Sequence, residues 1–141
     1  MIFKNKGFTL IELMIAVLVV GVLLSASIPK YRDYVLRSKI VEGTSTLMSL
    51  SIKLEQFYQD NRTYIGACTN NSIAPIPTNL KYFNIDCEVT EQGYLLKATS
   101  KSGDFIYQLD ENENKLTLAV PEGWINIESC WIGKNNGQCV N

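Results

Sequence analysis

The sequence has 141 residues, of which 46% are hydrophobic and 19% are charged, and its formal net charge is −1. It contains no histidine, which excludes enzymes that need an imidazole base, and its charge balance is not that of a strongly basic nucleic-acid-binding protein. The four cysteines form no CxxC pair and no glycine-rich phosphate loop is present, so neither a metal site nor a cofactor is predicted.

The segment 1–29 differs most from the rest of the chain. Its apolar run at 8–28 follows Lys4 and Lys6 and is long enough to cross a hydrocarbon core of about 30 Å as a helix. Glu12 lies inside this run without a basic partner, and a carboxylate at membrane depth is costly unless it is paired or protonated. A secretory signal and an ordinary membrane anchor both explain the lysines, but neither explains Glu12.

The residues Lys6-Gly7-Phe8-Thr9-Leu10-Ile11-Glu12-Leu13 resemble the processing motif of type IV pilins and the related pseudopilins. In that family a prepilin peptidase cuts after the glycine, the new N-terminal phenylalanine is N-methylated, and the glutamate guides assembly. The resemblance implies cleavage after Gly7, methylation of Phe8 and an assembly role for Glu12. The amine of Phe8 in one subunit would complement Glu12 of the next subunit.

The resemblance also divides the chain into three parts. These are a cleaved leader at 1–7, a hydrophobic transmembrane and filament-core helix at 8–29, and a periplasmic or extracellular globular domain at 30–141. Loss of the leader removes Lys4 and Lys6 from 13 basic residues, which leaves 11 against 14 acidic residues and a formal charge of −3.

The helix is predicted to continue past Pro29 as one helix of about 50 residues, with a kink at the proline because proline removes a backbone donor. Beyond Pro29 the chain shows helical spacing of apolar residues, with polar residues largely opposite them. The apolar positions are Ile40, Val41, Leu47, Met48, Leu54 and Tyr58, and the polar ones are Glu42, Ser49, Lys53 and Gln56. We expect this amphipathic half to pack on a sheet.

Between 59 and 92 the sequence is rich in Gly, Pro, Asn and Asp, which predicts a long loop. All cysteines follow the apolar run, as is typical of disulfides in an oxidising compartment. They are Cys68, Cys87, Cys130 and Cys139. Three pairings are open, and we expect Cys68 with Cys87 and Cys130 with Cys139 because each pair is local and closes one polar loop. The second loop corresponds in position to the C-terminal disulfide-bounded region of type IV pilins.

Residues at 94–99, 105–109 and 116–120 alternate with period two, which predicts three strands, and turn sequences between them predict an antiparallel meander. A fourth strand is expected at 125–131. The acidic turn at 110–114 resembles the opening of a calcium loop, but Lys115 stands where that loop needs glycine and Pro121 where it needs glutamate. No calcium site is therefore predicted.

Together, the patterns and the resemblance predict an α+β protein with the pilin fold. A long N-terminal α-helix would have a protruding apolar half and an amphipathic half packed on a four-stranded antiparallel β-sheet. The implied function is that of a structural subunit of a type IV pilus, held in the inner membrane before assembly and in the extracellular filament afterwards. The implied partners are other pilin subunits, the inner membrane, the prepilin peptidase and the pilus assembly machinery, and the implied roles are adhesion, motility or DNA uptake.

Two alternatives share the N-terminal motif. A pseudopilin of a type II secretion system is disfavoured because disulfides are less usual in that family and a calcium site is common. A DNA-binding minor pilin of a competence system would need a basic, aromatic-lined face, and the mature charge of −3 does not support DNA as a partner, although charge can be distributed unevenly.

Overall fold

The computed structural model describes residues 7–140, apart from the side chains at positions 26–30, 32 and 33. The described elements are α1 at Leu10–Asn61, β1 at Phe83–Val89, β2 at Tyr94–Ser100, β3 at Ile106–Asp110 and β4 at Lys115–Ala119. The chain divides into two compact units, Met1–Leu36 and Arg37–Asn141.

Helix α1 has 52 residues, which confirms the prediction of one helix of about 50 residues. It starts after Thr9, whose hydroxyl oxygen accepts the backbone N–H of Glu12 at 3.3 Å and so caps the first turn. It ends before Arg62, which has a left-handed φ of 59°, a common way to terminate a helix. The backbone is helical at Pro29, but its side chain lies outside the described set, so the kink stays a prediction.

In the first unit, every side chain from position 7 to 25 is exposed. Most of these residues are apolar, and Leu10 and Val17 are 77% and 65% exposed. Within the part of the chain that the structure describes, no helical segment combines the length and the apolarity that a membrane crossing requires. The leader lysines, Lys4 and Lys6, lie outside the described residues.

The strands form one antiparallel sheet in the order β1-β2-β3-β4, as the predicted meander requires. The register places Phe83 opposite Ser100 and Tyr107 opposite Thr117. The turn between β2 and β3 uses Gly103, whose φ of 81° is disfavoured for other residues. Its N–H donates to the carbonyl of Ser100 at 2.8 Å, which closes the turn.

Two sequence predictions about the strands are wrong. Strand β1 lies in the stretch predicted as a loop, because its alternation of buried Phe83 and Ile85 with exposed polar residues is hidden by the Asn and Asp content. The stretch 125–131 is not a strand in the structure, and only an isolated bridge from Ile132 to Cys139 follows it. The count of four strands is confirmed, with β1 in place of 125–131.

The core of the second unit lies between α1 and one face of the sheet. Its buried members include Ile40, Leu47, Leu50 and Leu54 from the helix and Phe83, Leu96, Ala98, Tyr107 and Leu109 from the strands. Val41 and Met48, predicted on the buried face, are 53% and 42% exposed. Each directly follows a buried residue, and one residue turns a helix by about 100°, so both point away from the sheet.

Both disulfides have the pairing expected from the sequence. Cys68 joins Cys87, with 6.4 Å between their Cα atoms, and so ties the loop after α1 to β1. Cys130 joins Cys139, with 5.9 Å between Cα atoms, and closes the C-terminal loop. The disulfides therefore restrain the two longest stretches without regular strands in the second unit.

Candidate functional site

The predicted cleavage position lies at an open end of the chain. Gly7 is exposed and has no heavy atom within 4 Å of the position that a Cβ would occupy. The side chain of Phe8 is 76% exposed. Within the described part of the chain nothing packs against Gly7, so no described element blocks the bond between the two residues.

Glu12 lies in the first turn of α1, where the helix dipole favours a negative charge. Its carboxylate accepts a hydrogen bond of 3.4 Å from the Thr9 hydroxyl, which in turn accepts the Glu12 N–H. The Thr9 hydroxyl thus caps the N–H of Glu12 and also holds its carboxylate, a variant of the T-x-x-E pattern in which the glutamate bonds the threonine hydroxyl. Both hydrogen bonds are exposed, so Glu12 stays accessible to a second partner while it caps its own helix.

A second group of candidate residues lies around Tyr82 in the second unit. The Nζ atoms of Lys39 and Lys81 lie 5.2 Å and 4.9 Å from the centroid of the Tyr82 ring. Lys101 is adjacent, because its backbone N–H donates to the Tyr82 carbonyl at 2.8 Å. We call these four residues the Tyr82 cluster: Lys39, Lys81, Tyr82 and Lys101.

Three separate elements supply the Tyr82 cluster. Lys39 comes from α1, Lys81 and Tyr82 directly precede β1, and Lys101 directly follows β2. The pairing of Phe83 with Ser100 places the last two segments side by side at one end of the sheet. The Nζ of Lys101 also donates to the Leu80 carbonyl at 2.6 Å.

The Tyr82 cluster is cationic and partly open to water. Lys81 and Lys101 are exposed, whereas Lys39 and Tyr82 are half-buried. A hydrogen bond with the Tyr82 side chain raises the pKa of Lys81 above its ordinary value and so stabilises its ammonium form. Several ammonium groups beside one aromatic ring can hold a phosphate-rich polymer through charge and ring contacts.

A groove of about 380 Å³ lies next to this cluster, because Leu80, whose carbonyl accepts the Lys101 ammonium group, also lines the groove. It runs between α1 and the chain at 77–80, and it is lined by Ser45, Thr46, Ser49, Leu50, Lys53, Pro77 and Leu80. Hydroxyl groups and lysines are frequent contacts of phosphate oxygens. The groove therefore adds one lysine, Lys53, and three hydroxyl groups to the surface near Leu80.

Acidic residues collect at the opposite end of the sheet. Glu88 and Asp110 both lie opposite Leu95 on neighbouring strands, and with Glu111 they line a groove of about 550 Å³. The Asp110 carboxylate accepts the N–H groups of Asn112 and Asn114 at 2.9 Å and so closes the turn between β3 and β4. Among the described residues, no acidic, cysteine or histidine group is arranged to hold a metal ion.

Sequence reasoning missed both Thr9 and the Tyr82 cluster. The signal for Thr9 was present, since a threonine three residues before a glutamate at the start of an apolar run is a capping pattern. The cluster had only the adjacent pair Lys81 and Tyr82 as a local signal. Lys39 and Lys101 join them through the fold, which sequence spacing does not reveal.

Comparison with protein families gives two matches. Residues 29–106, more than half of the chain, match the family described as type IV minor pilin ComP, DNA uptake sequence receptor. Residues 2–28 match the prokaryotic N-terminal methylation motif. The two matches meet at the boundary between the apolar run and the amphipathic half of α1.

Curated relatives include fimbrial proteins. The type IV major fimbrial protein FimA of Dichelobacter nodosus is 44% identical over 71 residues, which are 50% of this chain and 41% of that protein. FimA of Dichelobacter nodosus strain VCS1703A is 45% identical over 66 residues, 47% of this chain and 38% of that protein. The chain thus spans about two fifths of the length of these relatives.

The fold is similar to that of a solved pilin. The crystal structure of the Neisseria meningitidis non-core minor pilin PilV has a TM-score of 0.52 and 17% sequence identity. The superposition covers 64% of this chain and 97% of that one. At this identity the likeness concerns the fold, a helix on a four-stranded antiparallel sheet.

Proposed function

Because the chain belongs to the type IV pilins, in the ComP minor-pilin family, we propose that it is a structural subunit of a type IV pilus. It is held in the inner membrane by its N-terminal helix, is cleaved after Gly7 by a prepilin peptidase, and joins other pilin subunits in the extracellular filament with the help of the pilus assembly machinery. The match of residues 2–28 to the methylation motif supports the processing step.

The observation that carries this proposal is the exposed apolar surface of α1. Side chains such as Leu10, Leu18 and Leu23 are 77%, 68% and 63% exposed. Burial of one such side chain is worth about 1.5 to 3 kcal/mol, so a stretch of this length strongly favours an apolar environment. Lipid supplies that environment before assembly, and the helices of neighbouring subunits supply it in a filament.

Processing is tested by the mass of the mature protein. We expect a chain that starts at Phe8 and carries one methyl group on its amine. The open position of Gly7 and the exposed Phe8 side chain support this expectation. A mature chain that begins near Ile28 would instead indicate a secretory signal and would reject the processing proposal.

The assembly role is tested with two variants of Glu12. Glu12→Ala removes both the charge and the capping contact with Thr9, whereas Glu12→Gln removes the charge and keeps a residue that caps at this position. If the charge guides assembly, both variants remain stable in the membrane and enter filaments poorly. Immunoblotting of sheared filaments measures incorporation, and normal incorporation of Glu12→Gln would reject an assembly role for the charge.

A second function, binding of DNA during uptake, is favoured by the Tyr82 cluster. Two lysines lie against the Tyr82 ring and a third, Lys101, is bonded to the Tyr82 backbone, even though the mature chain carries more acidic than basic residues. Acidic residues such as Glu88 and Asp110 are at the other end of the sheet, so the net charge does not describe the local surface. The family match at 29–106 includes every residue of the cluster and supports the same function.

The DNA proposal is tested by fluorescence anisotropy with a double-stranded DNA probe and the full chain in detergent. Lys81→Gln should weaken binding and lower the slope of log K against log salt by about 0.9, the value for one phosphate contact. Lys115→Gln is the matched control, because Lys115 also lies 5.2 Å from an aromatic ring, that of Trp131. Equal effects of the two substitutions would reject the Tyr82 cluster as the DNA site.

A further inference from the structure

Glu42 reaches from α1 to the backbone on which the Tyr82 cluster is built. Its carboxylate accepts the N–H of Lys81 at 2.9 Å and the N–H of Tyr82 at 2.7 Å, across 39 and 40 residues of sequence. Hydrogen bonds to a charged acceptor are stronger than neutral ones. The two consecutive N–H groups are therefore fixed on the helix directly before the chain enters β1.

Helix α1 packs closely on the sheet at the position from which the Glu42 side chain extends. The neighbouring Gly43 packs so closely on the Phe83 ring that a Cβ at this position would lie 2.9 Å from a ring carbon. One turn earlier, Lys39 reaches the Tyr82 ring. Glu42 thus connects a closely packed part of α1 to the backbone of exposed Lys81 and half-buried Tyr82.

The negative charge of Glu42 is unexpected beside a surface proposed to bind phosphates. A carboxylate beside Lys81 repels phosphate, so electrostatics alone predicts that DNA binds more tightly when this charge is removed. Glu42 is half-buried, and its two oxygen atoms are both engaged with backbone donors. A role in holding the chain explains why an acidic side chain lies within a cationic surface.

We propose that Glu42 is a positioning residue for DNA binding, because its carboxylate holds the backbone of Lys81 and Tyr82 where their side chains meet the phosphates. This inference rests on the proposed DNA binding at the Tyr82 cluster. In this proposal Glu42 does not itself contact DNA. It acts through the two residues whose N–H groups it accepts.

The test measures DNA affinity of the full chain in detergent for Glu42→Gln, Lys81→Gln and the double variant, with the same double-stranded probe. Glutamine presents an NH₂ group to one of the two backbone donors, so one hydrogen bond is lost together with the charge. We expect Glu42→Gln to weaken binding by roughly fivefold, against the electrostatic trend. Glu88→Gln is the control, since it removes an acidic charge from the other end of β1, and it should leave binding unchanged or slightly tighter.

The double variant separates positioning from a general loss of structure. If Glu42 acts through Lys81, Glu42→Gln weakens DNA binding less when Lys81 is already glutamine. The fold-losses of affinity of the two single variants then do not multiply in the double variant. In amide NMR spectra of Glu42→Gln, the Lys81 and Tyr82 signals should shift while those of β3 stay in place. If Glu42→Gln does not fold, the DNA affinity of Glu42→Asp is measured instead. Aspartate keeps the charge but is one methylene shorter, so this variant should also bind DNA more weakly.

Each outcome has one meaning. Binding by Glu42→Gln that equals or exceeds that of the wild type, or factors that multiply in the double variant, would overturn the positioning role. Binding that is unaffected by Lys81→Gln and by Lys101→Gln would instead reject the DNA site itself. Weaker binding by both Lys81→Gln and Glu42→Gln, with factors that do not multiply, supports both.

Discussion

The hydroxyl of Tyr107 donates a hydrogen bond of 2.7 Å to the backbone carbonyl of Ile132, and both residues are fully buried. A second connection is close by, where the indole N–H of Trp131 donates to the Gln108 carbonyl at 2.9 Å. Thr117 adds a third, since its hydroxyl oxygen accepts the Ile132 N–H at 3.0 Å. The C-terminal segment is therefore fastened to β3 and β4 by buried and part-buried hydrogen bonds, while its disulfide closes the segment on itself.

Substitution of Tyr107 by phenylalanine should destabilise the protein by about 1 to 3 kcal/mol, because it leaves the buried carbonyl of Ile132 without this donor. Urea unfolding of the full chain in detergent measures the change in free energy. Tyr34→Phe is the control, because Tyr34 is 72% exposed and should change stability little. Equal stability of the two variants would contradict the proposed contribution of this hydrogen bond.

A second prediction concerns the contact of α1 with the sheet. Gly43→Ala places a Cβ 2.9 Å from the ring of Phe83, which is only 2% exposed. Overpacking of this kind typically costs about 1 to 3 kcal/mol, which is larger than the gain of about 1 kcal/mol in helix propensity. We expect a net loss of stability in thermal or urea unfolding.

Gly21→Ala is the matched control for this substitution. Gly21 lies in the same helix, and nothing lies within 4 Å of the position of its Cβ. The alanine should therefore be neutral or slightly favourable there. A Gly43→Ala variant as stable as Gly21→Ala would show that the helix and sheet are less tightly packed than the Phe83 contact indicates.

Sequence patterns predicted the elements whose periodicity is local. The helix was predictable because its apolar run and its amphipathic half are both continuous, and the Leu10–Asn61 bounds are close to those expected. Strands β2, β3 and β4 were predictable from the alternation of apolar residues in the sequence, although β4 buries Thr117 and leaves Leu118 45% exposed. Strand β1 was not predicted because Asn84, Asp86 and Glu88 suggested a loop, although they are the exposed positions of a regular alternation.

The candidate sites were predictable to different degrees. Gly7, Phe8 and Glu12 lie within six consecutive residues, so one motif contained them all. The Tyr82 cluster depends on the register of β1 with β2 and on the contact of α1 with the start of β1. Net charge even pointed away from it, because a sum over the chain does not show that Glu88, Asp110 and Glu111 lie at the end of the sheet opposite the Tyr82 cluster.

A third prediction compares the two disulfides. The chain-entropy model gives about 3 kcal/mol for each, with slightly more for the longer loop. Cys68 and Cys87 are 19 residues apart, and Cys130 and Cys139 are 9 apart. Replacement of Cys68 and Cys87 by serine should therefore lower the melting temperature more than replacement of Cys130 and Cys139.

The connectivity is checked first, by peptide mapping under non-reducing conditions. A peptide that joins Cys68 to Cys130 or to Cys139 would overturn the two-loop arrangement. The C-terminal loop is also held by the Tyr107 hydrogen bond to Ile132, which gives a second reason for a smaller effect there. A larger loss on removal of the C-terminal disulfide would mean that it is the main restraint on that loop.

The last prediction concerns alkaline pH. Burial, together with the charge of Glu55, raises the pKa of Tyr94 from its ordinary value of 10.0 to about 12. Burial also raises the pKa of Tyr64, and the hydrogen bond of 2.8 Å from its hydroxyl to Glu55 acts in the same direction. Burial alone raises the pKa of Tyr107. Because the pKa of all three tyrosines is raised in the folded chain, the unfolded chain loses these protons at lower pH than the folded chain does.

The free energy of unfolding should therefore keep the full contribution of these tyrosines below pH 10, and it should fall as the pH rises from about 10 to about 12. Each tyrosine that ionises only in the unfolded chain steepens this fall by at most about 1.4 kcal/mol per pH unit. Urea unfolding at a series of pH values measures the slope, and Tyr94→Phe should reduce it by one such contribution. The phenolate absorbance of the buried tyrosines should appear together with unfolding, and its appearance in the folded chain near pH 10 would contradict their protection from ionisation.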